Sequence, residues 1–224
     1  HDLALMDWIA ENVHIVYGTP GAFGVITEVR TSSRAINSFL SGFLREENIR
    51  IRPDEIKFES RSIHRYESGF EVTKWSPLTK NLGDFSLSIA DGRIHSGEIV
   101  GCLGRNALGK TTFARLLAGE MQPDSGEIEK NIKIAYKPQY ISTNFGGTCE
   151  EMLILALKEK ITDTFVKSEI FHPLGIDDIM QRNVPELSGG ELQRLSIALN
   201  LAIDADLYLL DEPSAHLDSA YRMV

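Results

Sequence analysis

The sequence predicts an α/β fold in which an antiparallel β flap precedes a core of strands and helices. Three observations carry the prediction. An apolar stretch over 98–103 runs straight into a glycine-rich loop and then into a helical pattern over 110–118. Phe85, Leu87 and Ile89 alternate with Ser86 and Ser88, the period-two pattern of a strand with one covered face. Leu207, Tyr208, Leu209 and Leu210 form an apolar run that ends in two carboxylates, Asp211 and Glu212.

The 224 residues are 42% hydrophobic and 25% charged, enough for a sizeable core. The longest apolar runs stop well short of the roughly 20 residues that a membrane helix needs. Residues 1–10 carry no basic leader. No membrane partner and a cytoplasmic location are therefore expected. A net charge of -9 argues against a broad nucleic-acid footprint, so no DNA partner is expected either. Segment 45–65 mixes basic and acidic side chains and reads as solvated surface. Cys102 and Cys149 form no CxxC pair, which argues against a structural metal.

Along the chain, Leu3, Met6, Trp8 and Ile9 set a helical pattern over 2–11, followed by an apolar run at 13–17 and a breaker at 18–21. A short strand at 24–29 and an amphipathic helix at 36–44 come next, and Pro53 closes the region. Strand-like stretches at 56–58 and 70–73 lead into Phe85–Ile89. Beyond the glycine loop, 132–136 reads as a strand, and Thr148 with Glu151 forms a capping box that opens a helix. Ser188 and Glu191 have the same spacing, before a helix whose Leu192, Leu195, Leu199 and Ala202 share one core face. Leu207–Leu210 reads as a buried strand.

The chemistry concentrates in four places. The run from Gly104 to Thr111 matches G-x-x-x-x-G-K-[ST] between a strand and a helix. Successive backbone N–H groups backed by a helix N-terminus suit phosphate, so Asn106, Ala107, Gly109, Lys110, Thr111 and Thr112 are the candidate phosphate-binding residues. Lys110 is expected to reach the outer phosphates and the Thr111 hydroxyl to ligate magnesium. A working loop implies Ala107 at negative φ, because a positive φ would cost about 1 to 2 kcal/mol. Asp211 is placed to hold magnesium, and Glu212 to orient and deprotonate an attacking water. Gln139, just past the strand at 132–136, has an amide long enough to reach the metal or that water. Ser188, Gly189 and Gly190 offer bare N–H groups at a positive helix end, a second phosphate-recognition candidate, although a helix cap alone explains the serine. Trp75 carries a ring that could stack on adenine, or serve as core.

Together these motifs resemble the ATP-binding-cassette family, with Gln139 as its glutamine loop, LSGGE at 187–191 as its signature and SAHLD at 214–218 as the loop that faces a partner cassette. The strings YKPQYI at 136–141, ELSGGELQR at 186–194 and YLLDEPSAHLD at 208–218 look like the second cassette of the twin-cassette ribosome-recycling ATPases, the RNase L inhibitor family. HDLALMDWIA and VYGTPGAFGVIT near the start look like the end of the first cassette.

The resemblance implies a P-loop NTPase cassette with an antiparallel β subdomain and a helical subdomain, truncated at the C-terminus. It implies three segments: 1–34 as the end of the preceding cassette, 35–62 as a hinge, and 63–224 as an incomplete second cassette. It also implies ATP and Mg2+ as ligands, with Ser188, Gly189 and Gly190 on the γ-phosphate of ATP held by the preceding cassette of the same full-length protein. Family members split ribosomal subunits by ATP-driven closure, with the small subunit and a release-factor-like protein as partners. Ala107 departs from the family's usual glycine. The alternative is a transport or regulatory cassette of another branch, or an interaction module without appreciable turnover.

Overall fold

A computed structural model of the chain describes residues 3–19, 22–53, 55–56, 69–129, 131–139, 145–217 and 221. These fall into two compact units, one within residues 1–64 and one within 65–222.

In the first unit, helix α1 (Leu3–Ile9) leads into β1 (Asn12–Val13), and β2 (Val16–Thr19) pairs antiparallel with β3 (Phe23–Ile26). β4 (Arg30–Thr31) returns to β1, and helix α2 (Ser32–Ser41) follows at once. The helix expected at 36–44 starts earlier and stops at Gly42, whose φ of 71° ends it with an N–H bond to Phe39 O. Phe43 and Leu44 therefore form a strand, β5 (Phe43–Leu44), paired with β6 (Ile49–Arg50). Ile15, Ala35 and Leu44 share one core, with members from both sides of the expected boundary at 34/35. Buried Arg30 bonds Glu47 and lies 3.0 Å from Glu46. Of the strand expected at 56–58, residues 57 and 58 lie outside the described residues.

The second unit opens with the predicted flap. β7 (Glu71–Trp75), β8 (Leu78–Leu82), β9 (Phe85–Ile89) and β10 (Gly92–His95) pair antiparallel as β7 with β10 and β8 with β9. Phe85, Leu87 and Ile89 lie on the more covered face of β9, as their alternation predicts. Helix α3 (Lys110–Leu117) packs Leu116 and Leu117 against Leu78 and Ile128, tying the flap to the core. β11 (Ile134–Lys137) then carries the chain toward the helical subdomain. There α4 (Cys149–Leu157) and α5 (Gly189–Ala202) enclose a core that includes Leu153, Phe171, Ile176, Leu195 and Ala198. Both predicted capping boxes form, at Thr148 with Glu151 and at Ser188 with Glu191. β12 (Leu207–Leu210) returns to pair parallel with β11, Lys137 opposite Leu210.

Two expectations need correction. The stretch 98–103 pairs with no strand among the described residues, and Ile99, Val100 and Leu103 are 85%, 54% and 103% exposed. Apolar side chains favour a strand, but the strand itself requires a neighbouring ladder, and β11 and β12 ladder with each other. β12 is covered on one face only: Leu209 packs on the Leu78 cluster while Tyr208 and Leu210 are exposed. No helix among the described residues is long and apolar enough to cross a membrane.

Candidate functional site

The parallel pair β11–β12 ends with both chains leaving the ladder on the same side, which is how residues far apart in sequence meet. Gln139, two residues past β11, donates its amide to Glu212 Oε2, two residues past β12, at 2.9 Å. Next to them, the loop at 104–109 turns into α3. A cavity of about 280 Å³ lies between, lined by Phe85, Asn106, Ala107, Gly109, Lys110, Thr111, Thr112, Gln139 and Glu212. Lys110 Nζ donates to the carbonyls of Gly104 and Arg105 at 2.7 and 2.9 Å, so its ammonium is held inside the curl of the loop. Loop N–H groups, a helix N-terminus and an ammonium on one wall, facing an amide and a carboxylate on the other, suit an anion that reacts with water.

Behind this wall the charge is buried. Asp211 is buried, and its Oδ2 accepts no hydrogen bond among the described residues. Lys137 is only 1% exposed, and its Nζ donates to the carbonyls of Asp211 and Pro138, each at 3.0 Å. Burial pushes the Lys137 ammonium below its ordinary pKa, while Asp211 and Glu212 pull the other way. Gln193, buried on α5, donates to the carbonyls of Glu212 and Pro213 at 3.0 and 2.8 Å. Buried Asn200, its carboxamide oriented by the groups around it, accepts from the N–H groups of Tyr136 and Lys137 at 3.1 and 3.0 Å. Helix α5 thus grips the ends of both strands.

Of the residues expected in the site, Asn106, Ala107, Gly109, Lys110, Thr111, Thr112, Gln139 and Glu212 come together. Asp211 lies beside them in sequence with its carboxylate buried. Ser188, Gly189 and Gly190 do not line this cavity. They form the start of α5, where the Ser188 hydroxyl donates to Glu191 Oε2 at 2.8 Å. A Cβ on Gly190 would stand 2.9 Å from His216 O, so the second signature glycine is required by close approach of the SAHLD loop. Burial raises the Glu191 carboxyl, yet hydrogen bonds from Ser188 and the Arg182 guanidinium bring it below its usual value.

One site expectation is overturned. Ala107 has φ of 64°, the left-handed region, not the negative value expected. The curl that places Lys110 among the loop carbonyls fixes this backbone turn regardless of the side chain, and Ala107 stores strain of about 1 to 2 kcal/mol there. Ala107→Gly should therefore raise the stability of the protein, or leave it level, because the strain released equals or exceeds the ~0.4–1 kcal/mol of chain entropy that glycine adds to the unfolded state. Chemical denaturation of the two proteins checks the sign. At a negative φ the same change would be destabilising.

Trp75 does not line the cavity either. Its ring meets Phe113 edge-on at 5.4 Å, lies against Gly92, and its Nε1 donates to Ala90 O. The aromatic ring in the cavity is Phe85. The alternation of β9 had placed Phe85 on the inner face, and its position at the strand start, next to the Gly83 turn, was the one available signal. Lys137 and Gln193 were also missed. Nothing in a helical or strand period marks a buried lysine or glutamine.

The family described as ABC transporter matches residues 87–215. An uncharacterized ABC transporter ATP-binding protein of Methanocaldococcus jannaschii is 46% identical over 225 residues, covering 100% of this chain and 37% of that protein. A solved complex of the archaeal ribosomal stalk protein aP1 with the archaeal ribosome recycling factor aABCE1 is similar at 44% identity and TM-score 0.88, covering 100% of this chain and 43% of that one. A structure of ribosome-bound archaeal Pelota and ABCE1 is similar at 44% identity and TM-score 0.92, covering 100% and 38%. The chain spans a little over a third of the length of the curated relative, at 37%.

Proposed function

The chain belongs to the ATP-binding-cassette family, in the branch of the ribosome recycling factor ABCE1, and from that premise we propose that it binds ATP with magnesium and hydrolyses it as one half of a two-cassette ATPase. The observation that carries the reading is the convergence of the phosphate-type loop, Gln139 and Glu212 on one cavity. In this reading the loop N–H groups and Lys110 hold the phosphates, Glu212 takes the proton of the attacking water, and Gln139 orients that water. Thr111, Gln139 and Asp211 fit magnesium, since Asp211 Oδ2 is a buried oxygen with no partner among the described residues. Magnesium supplies charge neutralisation at the phosphate oxygens when bound.

Residues 1–34 are proposed as the end of a preceding cassette, 35–62 as the hinge and 63–224 as the second cassette. Ser188, Gly189 and Gly190 then cap ATP held by the first cassette, which agrees with their absence from the cavity lining. Closure of the two cassettes would split ribosomal subunits, with the small subunit and a release-factor-like protein as partners. The similarity to proteins whose structures hold a ribosomal stalk protein or Pelota supports this. Density-gradient sedimentation of ribosomes with the full-length protein and ATP tests it, and splitting that Glu212→Gln abolishes is expected. A full-length protein that hydrolyses ATP yet leaves ribosomes joined would support a transport or regulatory cassette instead.

Phe85 is proposed as the adenine platform in place of Trp75. Stacking on a base contributes roughly 1 to 3 kcal/mol, so Phe85→Ala should weaken ATP binding about 5- to 150-fold, while Phe85→Tyr keeps most of the affinity. Trp75→Ala should lower thermal stability more than affinity, because that ring packs against Phe113 and the Leu78 cluster. Titration of nucleotide into the three variants distinguishes the two rings.

A further inference from the structure

We propose that Lys137 is a positioning residue of this ATP site: by ending the β11–β12 ladder with its ammonium, it sets the geometry at which Gln139 and Glu212 meet. The inference rests on the nucleotide reading above and concerns the residue that organises the water side of the site.

Lys137 is fully buried, and a buried ammonium is retained against a large desolvation cost only where its donors are used. It stands at the last ladder position of β11, opposite Leu210, and its main-chain carbonyl still accepts from Asp211 N at 3.0 Å. One step further, the ladder would bring a main-chain N–H from the β11 side to Asp211 O. Lys137 Nζ occupies that acceptor instead, at 3.0 Å, and its second donor takes Pro138 O at 3.0 Å. One side chain therefore binds the first carbonyl past each strand. The two chains are free to diverge, but only by the span of one ammonium.

The consequence lies one residue on. With Asp211 O held by Lys137, the Gln139 segment turns away from the ladder, and the Gln139 side chain crosses to Glu212. Asp211 keeps a buried carboxylate oxygen unengaged. Helix α5 holds the same two strand ends, through Gln193 on the carbonyls of Glu212 and Pro213 and Asn200 on the N–H groups of Tyr136 and Lys137. Lys137 is not among the residues lining the cavity, and none of its bonds reaches the loop at 104–112. Its loss should disturb hydrolysis and spare nucleotide binding.

The test uses Lys137→Met and Lys137→Gln in the intact protein, with nucleotide titration, steady-state phosphate release and thermal unfolding. Methionine fills the volume without donors, and glutamine keeps a donor without charge. The expected result is kcat lowered at least about tenfold in Lys137→Met, with Kd and KM for magnesium-ATP within about threefold, and an intermediate kcat in Lys137→Gln. A kcat within about twofold of the unaltered protein in Lys137→Met overturns the inference, as does a parallel loss of affinity and turnover. Should Lys137→Met not fold, Lys137→Gln decides alone by the same split between kcat and Kd. Failure of the unaltered protein to hydrolyse ATP overturns the nucleotide reading itself. Normal hydrolysis by the unaltered protein with indifferent variants overturns only the role of Lys137.

Discussion

Lys110→Ala is expected to weaken magnesium-ATP binding about 10- to 100-fold while leaving the fold intact. A hydrogen bond between an ammonium and a phosphate is charge-assisted, and such bonds contribute about 1.5 to 3 kcal/mol. Each 1.4 kcal/mol is about a factor of ten in affinity. The fold should survive because the two carbonyls that Lys110 now engages, on Gly104 and Arg105, belong to exposed residues where water can replace the ammonium. Helix α3 starts at Lys110 but is anchored by Leu116 and Leu117, at the other end. Isothermal titration of magnesium-ATP, with circular dichroism to verify folding, measures the effect. Unchanged affinity in a folded Lys110→Ala protein would remove the phosphate role of this loop.

What could be read from the sequence follows the distance over which each feature is determined. Thr148 with Glu151 and Ser188 with Glu191 form their capping boxes because the partners are three residues apart and need nothing else. The alternation of Phe85, Leu87 and Ile89 holds for the same reason. The stretch 98–103 is apolar enough for a strand, but its pairing depends on a neighbour that a local pattern cannot supply. The sign of φ at Ala107 is set by closure of the whole loop around Lys110, which alanine's own preference cannot reveal. Two aromatic rings lie on the flap, and only the packing of Trp75 against Phe113 and Gly92 leaves Phe85 to line the cavity. Lys137 was invisible because its partners, Pro138 O and Asp211 O, are backbone atoms, one of them just past a strand far along the chain.

This chain by itself is expected to bind ATP and hydrolyse it at least about 100-fold more slowly than the two-cassette protein, because phosphoryl transfer depends on donors that meet the charge developing on the phosphate. Lys110, Thr111, Gln139 and Glu212 line the cavity. The sequence holds one LSGGE, at 187–191, and its Ser188, Gly189 and Gly190 are not on that cavity. No signature is thus available to the ATP that the loop at 104–112 would hold, and the outer phosphate stays open to water on that side. Two copies pairing head to tail could supply it, each Ser188 releasing Glu191 to take the other's phosphate. That route makes the specific rate rise with protein concentration, whereas an isolated site keeps it constant. Steady-state phosphate release from the chain over a range of concentrations, from its Glu212→Gln variant and from the two-cassette protein measures all three quantities. Glu212→Gln should remove the residual rate, since a general base contributes about 10²- to 10⁴-fold. Concentration-independent turnover equal to that of the two-cassette protein, and abolished by Glu212→Gln, would mean that one cassette completes the site unaided.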